Sequence, residues 1–319
     1  MLVADLTGAA ATVATFGALG LMDETDDERP GYATLLAGTL TGVSLGVLTA
    51  QQLHFDAGDV ALTTLGAAEG MWYGGFLAER WLEGNHGSGG VMLGAGLGTI
   101  GAGIIAQYTD LTVGNATEIL IVSSYGKLLG TGLAMLGNAD GDGIVDSQLA
   151  LGAAGLAGGA WLAQHTEYAG GDRAIVPIGT VLGAWHGIWW GQLAYDKDWI
   201  AHEEAIAGLA LTSTAALGLG GLALAQVTDL DNWQVTMGSS GALWGAWLSG
   251  WSLALSDSSF DDTTVATTLL VGTDVGLATT AVLISPLVGV DPRVVAGANF
   301  GGMAGAGLAS LFTAMFSQD

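Results

Sequence analysis

A pair of glycines four residues apart recurs five times, each time late in a long apolar stretch: Gly70 and Gly74, Gly126 and Gly130, Gly183 and Gly187, Gly241 and Gly245, Gly301 and Gly305. The leading glycines lie 56–60 residues apart, a near-constant step that marks a tandem repeat. Glycines at i and i+4 share one face of a helix and strip it of side chains, so a neighbouring helix can approach to backbone contact. The repeat therefore predicts one close-packing helix per unit, with these glycines at its helix contacts.

Apolar segments 16–24 residues long, with small residues recurring every four positions, read as helices and not as alternating strands. The predicted fold is all-α. An N-terminal helix over 5–22 and an acidic linker over 23–32 occupy 1–32, and a five-repeat helical array of glycine-zipper-like units of about 58 residues occupies 33–319. The units run 33–81, 91–138, 149–196, 207–257 and 265–316. Each is expected to be an antiparallel hairpin: 33–50 with 60–79, 91–107 with 115–136, 149–164 with 174–195, 207–226 with 234–255, and 265–285 with 293–316. The connectors inside the pairs share a register, since Gln51, Gln107, Gln164 and Gln226 are each followed by an acid at Asp56, Asp110, Glu167 and Asp229.

The segments reach the length that spans a hydrocarbon core, about 17–25 residues. Each glycine inside a water-exposed helix costs about 1 kcal/mol relative to alanine, whereas in lipid such residues promote close association. A membrane-embedded array is the first expectation, and a soluble helical repeat binding module, buried all round by its neighbours, is the alternative. Charge narrows the partners. Six Lys and Arg against 30 Asp and Glu give a net charge of −24, which repels phosphate backbones and excludes nucleic acid. Membrane lipid and other protein subunits, in a homo-oligomer or a larger assembly, are the expected partners. No basic flank marks a cytoplasmic side, which points to a bacterial cell envelope, at an outer-membrane or periplasmic location. The N-terminal stretch lacks the basic residues of a signal peptide. Cysteine is absent and no HExxH pattern occurs, so an enzyme is not expected.

Ionisable groups inside the apolar segments are Glu69, Lys127, His186 and Asp274. In a membrane such groups face protein or water and mark a path or an ion pair, and a Glu69–Lys127 bridge between adjacent hairpins fits the repeat register. Trp81, Trp199 and Trp233, near segment ends, suit an interfacial belt, while mid-segment tryptophans fill space opposite the glycines. The expected function is a non-enzymatic structural scaffold subunit, with a channel or transporter using the four ionisable residues as the alternative.

One short stretch stands apart. In NADGDGIVD, 138–146, Asn138, Asp140 and Asp142 alternate, Gly143 sits at a turn and Asp146 follows. Hard cations take such a series of oxygens. The stretch resembles the calcium loops of the EF-hand, dockerin and thrombospondin type 3 families over these nine residues, although position one is Asn and position twelve is Leu149. The resemblance implies calcium held by Asn138, Asp140, Asp142, the carbonyl of Ile144 and Asp146.

Overall fold

A computed structural model describes residues 55–82, 87–166, 172–228, 230–256, 259–285 and 289–316. The expected N-terminal helix, the acidic linker and the segment 33–50 lie outside the described residues. Among those residues there is no strand. Nine α-helices follow one another among the described residues: α1 (Ala57–Trp81), α2 (Gly87–Ala106), α3 (Val113–Leu136), α4 (Gly141–Leu162), α5 (Asp172–Asp196), α6 (Glu204–Val227), α7 (Asn232–Ala254), α8 (Asp262–Ala278) and α9 (Pro292–Phe316). A π-helical turn, Thr279–Ile284, extends α8.

The acids concentrate where helices begin. Asp56 caps α1 in a reciprocal box, its carboxylate accepting from the Asp59 amide at 2.9 Å while Asp59 accepts from the Asp56 amide at 3.0 Å. Asp140 caps α4 through the Gly143 amide at 2.8 Å. Asp261 caps α8 through the Thr264 amide, and hydrogen bonds from Thr264 hold its carboxyl below the usual carboxylate range. Thr112 and Asn115 perform the same exchange before α3. Charge is thus spent on free amides at helix starts, leaving the helix bodies apolar.

The described residues up to 131 together with 139–166 form one compact unit, and 132–138 with the described residues from 172 onward form a second. In the first, α1 packs antiparallel on α2 with glycine facing glycine: Gly66 opposite Gly98, Gly70 opposite Gly94, Gly74 opposite Gly90. A methyl group added to Gly70 would enter the carbonyl oxygen of Gly94, and the reverse also holds. On α3, Gly126 meets the backbone of Leu151 and Gly155, and Gly130 meets that of Ser147, all on α4. In the second unit Gly183 abuts Ser213 and Thr214 and Gly187 abuts Leu209 and Ala210, joining α5 to α6. Gly241 faces Gly276, and Gly245 faces Gly272, joining α7 to α8.

This pairing differs in phase from the expected hairpins. The glycines of α1, α3, α5 and α7 close on the helix that follows each of them. The reason is complementarity. The face of α1 finds its glycine-spaced match in Gly90, Gly94 and Gly98 of the next segment, and connector length does not distinguish the two choices. The fifth pair departs as well. An added Cβ at Gly301 or Gly305 meets nothing within 4 Å among the described residues, and α9 instead lays Gly302 against the Trp244 ring of α7.

These contacts are testable with an internal control. Gly94→Ala should lower the melting temperature, because backbone must move to admit the methyl group. Gly101→Ala on the same helix, where an added Cβ meets nothing within 4 Å, should leave it unchanged or raise stability by up to about 1 kcal/mol.

Candidate functional site

Polar side chains join helices of different hairpins inside otherwise apolar surroundings. The best defined cluster lies in the first unit. Glu69 on α1 is 5% exposed, and both of its carboxylate oxygens lie 2.8 Å from Lys127 Nζ on α3. The ammonium also sits 4.4 Å from the centre of the Trp72 ring and 5.6 Å from that of Tyr73, within cation–π range of both. Gly152 on α4 leaves the space that the Lys127 stem and the Tyr73 hydroxyl fill, since a Cβ there would lie 2.9 Å from each. Glu69 and Lys127 are thus supplied with a counter-charge and an aromatic wall, which offsets the cost of removing both from water.

A second bridge closes the end of the same hairpins. Arg80, in the last turn of α1, donates to both oxygens of Asp146 at 3.0 and 3.2 Å and lies 3.6 Å from Asp142, both in the first turns of α4. The expected calcium loop therefore takes another form. Residues 141–146 are already helical, Asp140 is spent as the cap of α4, and Asp142 and Asp146 turn along one helix face toward a guanidinium. Asn138 adopts φ 53° at the turn before the helix. Among the described residues no three His, Asp or Glu side chains converge as metal ligands. Four residues separate Asp142 from Asp146, which is helical spacing, and the cap at Asp140 lets the helix begin early enough to use it.

In the second unit His186 Nε2 lies 2.9 Å from Asp274 Oδ1, while His186 Nδ1 faces the Leu182 carbonyl at 2.8 Å. One residue back on both helices, the Trp185 indole donates to Thr273 Oγ1 at 3.0 Å. Farther along, Ser240 and Trp244 of α7 both donate to Asn299 Oδ1 of α9, at 2.7 and 2.8 Å. His202 lies 2.9 Å from the Met135 carbonyl, tying the α5–α6 connector to the end of α3.

The four ionisable residues singled out in the sequence thus form two pairs, one in each unit. Sequence reasoning missed Arg80, Thr273 and Asn299, as well as Thr166, which donates to the buried Glu118 at 2.7 Å. A signal was present for some of them. Glu69 and Lys127 are 58 residues apart and Ser240 and Asn299 are 59 apart, close to the repeat step, so equivalent positions on successive repeats meet.

No protein-family model, no curated protein and no solved structure matches this chain.

Two measurements check these assignments. Glu69→Gln should cost about 3–5 kcal/mol by leaving the Lys127 charge buried without its partner, whereas Glu69→Leu with Lys127→Met should recover most of that loss in the same unfolding assay. Millimolar calcium should leave the melting temperature of the parent unchanged, because Arg80 already occupies Asp142 and Asp146. A calcium-dependent rise abolished by Asp142→Ala would restore the cation reading.

Proposed function

We propose that this chain is a non-enzymatic structural subunit embedded in an envelope membrane, a scaffold whose outward helix faces meet lipid and other subunits. The observation that carries the reading is the inverted distribution of side-chain size. Among the described residues alanine is the commonest buried apolar residue and Ser123 is the largest side chain among those fully buried, while Leu97, Val181, Leu248, Val275 and Phe300 stand outward along the helix bodies. Water would drive the large residues inward, and a monomeric soluble protein rarely leaves such surface open. In lipid no such drive exists between helices, and small residues occupy the contacts because they permit close approach.

Length and composition agree. Gly87–Ala106, Val113–Leu136, Glu204–Val227 and Asp262–Val282 are long and apolar enough to cross a membrane. Trp81, Trp161 and Trp199, at or just beyond helix ends, are 60–72% exposed, as residues of an interfacial belt would be. The scarcity of Lys and Arg favours an envelope membrane over one whose cytoplasmic loops are basic. Scaffolding is favoured over transport because the four ionisable groups within the apolar segments are paired, and the groove between α5, α7 and α8 is lined by no ionisable residue.

Alkaline carbonate should leave the protein in the membrane pellet and detergent should release it; release by carbonate alone would return it to the soluble arrays. Reconstituted vesicles should pass protons and small ions no faster than empty ones. A flux removed by Glu69→Gln would instead favour a transporter.

A further inference from the structure

In the second unit a groove of about 740 Å³ runs between α5, α7 and α8. Val181, Leu182, Leu243, Trp247 and Trp251 line its walls, and the lining follows α7 from Ser239 to its last residue, Ala254. Three of its polar groups are already used, and the indole N–H groups of Trp247 and Trp251 are the remaining side-chain donors. Trp185 Nε1 donates to Thr273 Oγ1, Thr273 Oγ1 donates to the Leu269 carbonyl at 2.7 Å, and Ser239 Oγ donates to the Thr236 carbonyl at 3.0 Å. With these donors engaged within the protein, the walls select hydrocarbon.

Dimensions decide which hydrocarbon. The fifteen-residue advance along α7 from Ser239 to Ala254 corresponds to about 22 Å at the helical rise, so the volume spreads over a cross-section of roughly 33 Å². Allowing for the radii of an occupant's own atoms, the section is roughly 65 Å², still short of the roughly 80–110 Å² of a helix about 10–12 Å across, which would ride on the rim. A single extended chain fits inside, and the length exceeds the roughly 15 Å of one leaflet of a hydrocarbon core. The groove also reaches the end of α7, so a polar headgroup can lie beyond Ala254 while the chain lies along the helix.

We propose that this groove holds one acyl chain of a membrane lipid. The proposal rests on the membrane reading for the source of the chain, and on the groove alone for the binding. Gly250 gives a specific test, because an added Cβ there meets only the Leu269 side chain, at 3.8 Å, and a larger residue would grow into the groove without displacing backbone.

The full chain in detergent micelles is mixed with a phosphatidylcholine that carries one diazirine-bearing acyl chain, irradiated, and mapped by peptide mass. Label should concentrate on 177–185 and 239–254 and fall severalfold under excess unlabelled lipid. Gly250→Leu should cut it severalfold at an unchanged melting temperature. Gly220→Leu on α6, at a glycine whose added Cβ meets nothing within 4 Å, should retain it. Label spread evenly over outward faces such as Leu217 and Leu224, without competition, would overturn the proposal. So would label unchanged in a folded Gly250→Leu. If that variant does not fold, competition on the parent decides alone. Carbonate release of a protein that still labels in the groove would sink the membrane reading and leave the acyl-chain site standing.

Discussion

Backbone-to-backbone contact within helix pairs is the constraint on which the rest depends. Where Gly70 faces Gly94, no side chain stands between the two helices, and even one methyl group would collide with a carbonyl oxygen; one added to Gly245 would likewise collide with the Gly272 carbonyl. Such contact maximises dispersion over a long seam but buries little large apolar surface. The seams therefore cannot derive their stability mainly from the expulsion of water, and the large apolar residues are displaced outward as a result. Leu248 and Val275 lie exposed on the very helices whose glycines are pressed together.

A helix pair closed by glycines is smooth, and smooth pairs give little register to their neighbours. The polar clasps supply it. Glu69 with Lys127, Trp185 with Thr273, and Ser240 and Trp244 with Asn299 each join different hairpins through a directional contact. Directional bonds in dry surroundings have few acceptable alternatives, because a slipped neighbour would strand a charge or a donor. The proposed scaffold thus uses two kinds of contact, featureless seams for closeness and single polar contacts for position. The apolar groove lies where three helices meet beside the Trp185–Thr273 bond, and Ser239, Ala242, Ala246, Gly250 and Ala254 of α7 are too small to fill it.

Much of the candidate site was legible. Glu69, Lys127, His186 and Asp274 stand out because charge is rare inside these segments, and the repeat step brings Glu69 near Lys127. Asn299 and Thr273 were not legible, since a neutral polar residue in a helix carries no mark of its partner. The stretch 138–146 shows the converse. Its alternating oxygens fit a cation loop, yet the same Asp140 is a good helix cap, and once the cap is made Asp142 and Asp146 fall on a helix face toward Arg80. Two local structures compete for one set of side chains, and a guanidinium sixty-odd residues away favours the second.

The sequence by itself determined that the chain is helical, where most helices begin, and which face of each repeat is bare. Those properties are local: apolar length, an acid at the cap and glycines at i and i+4 act within one segment. Only the tertiary structure decided what the bare faces meet: α1, α3, α5 and α7 close on the helix that follows, while an added Cβ at Gly301 or Gly305 meets nothing within 4 Å among the described residues. A bare face specifies that something must come close, but not what does. That choice depends on the match between two faces brought together by the fold, a property no single segment carries.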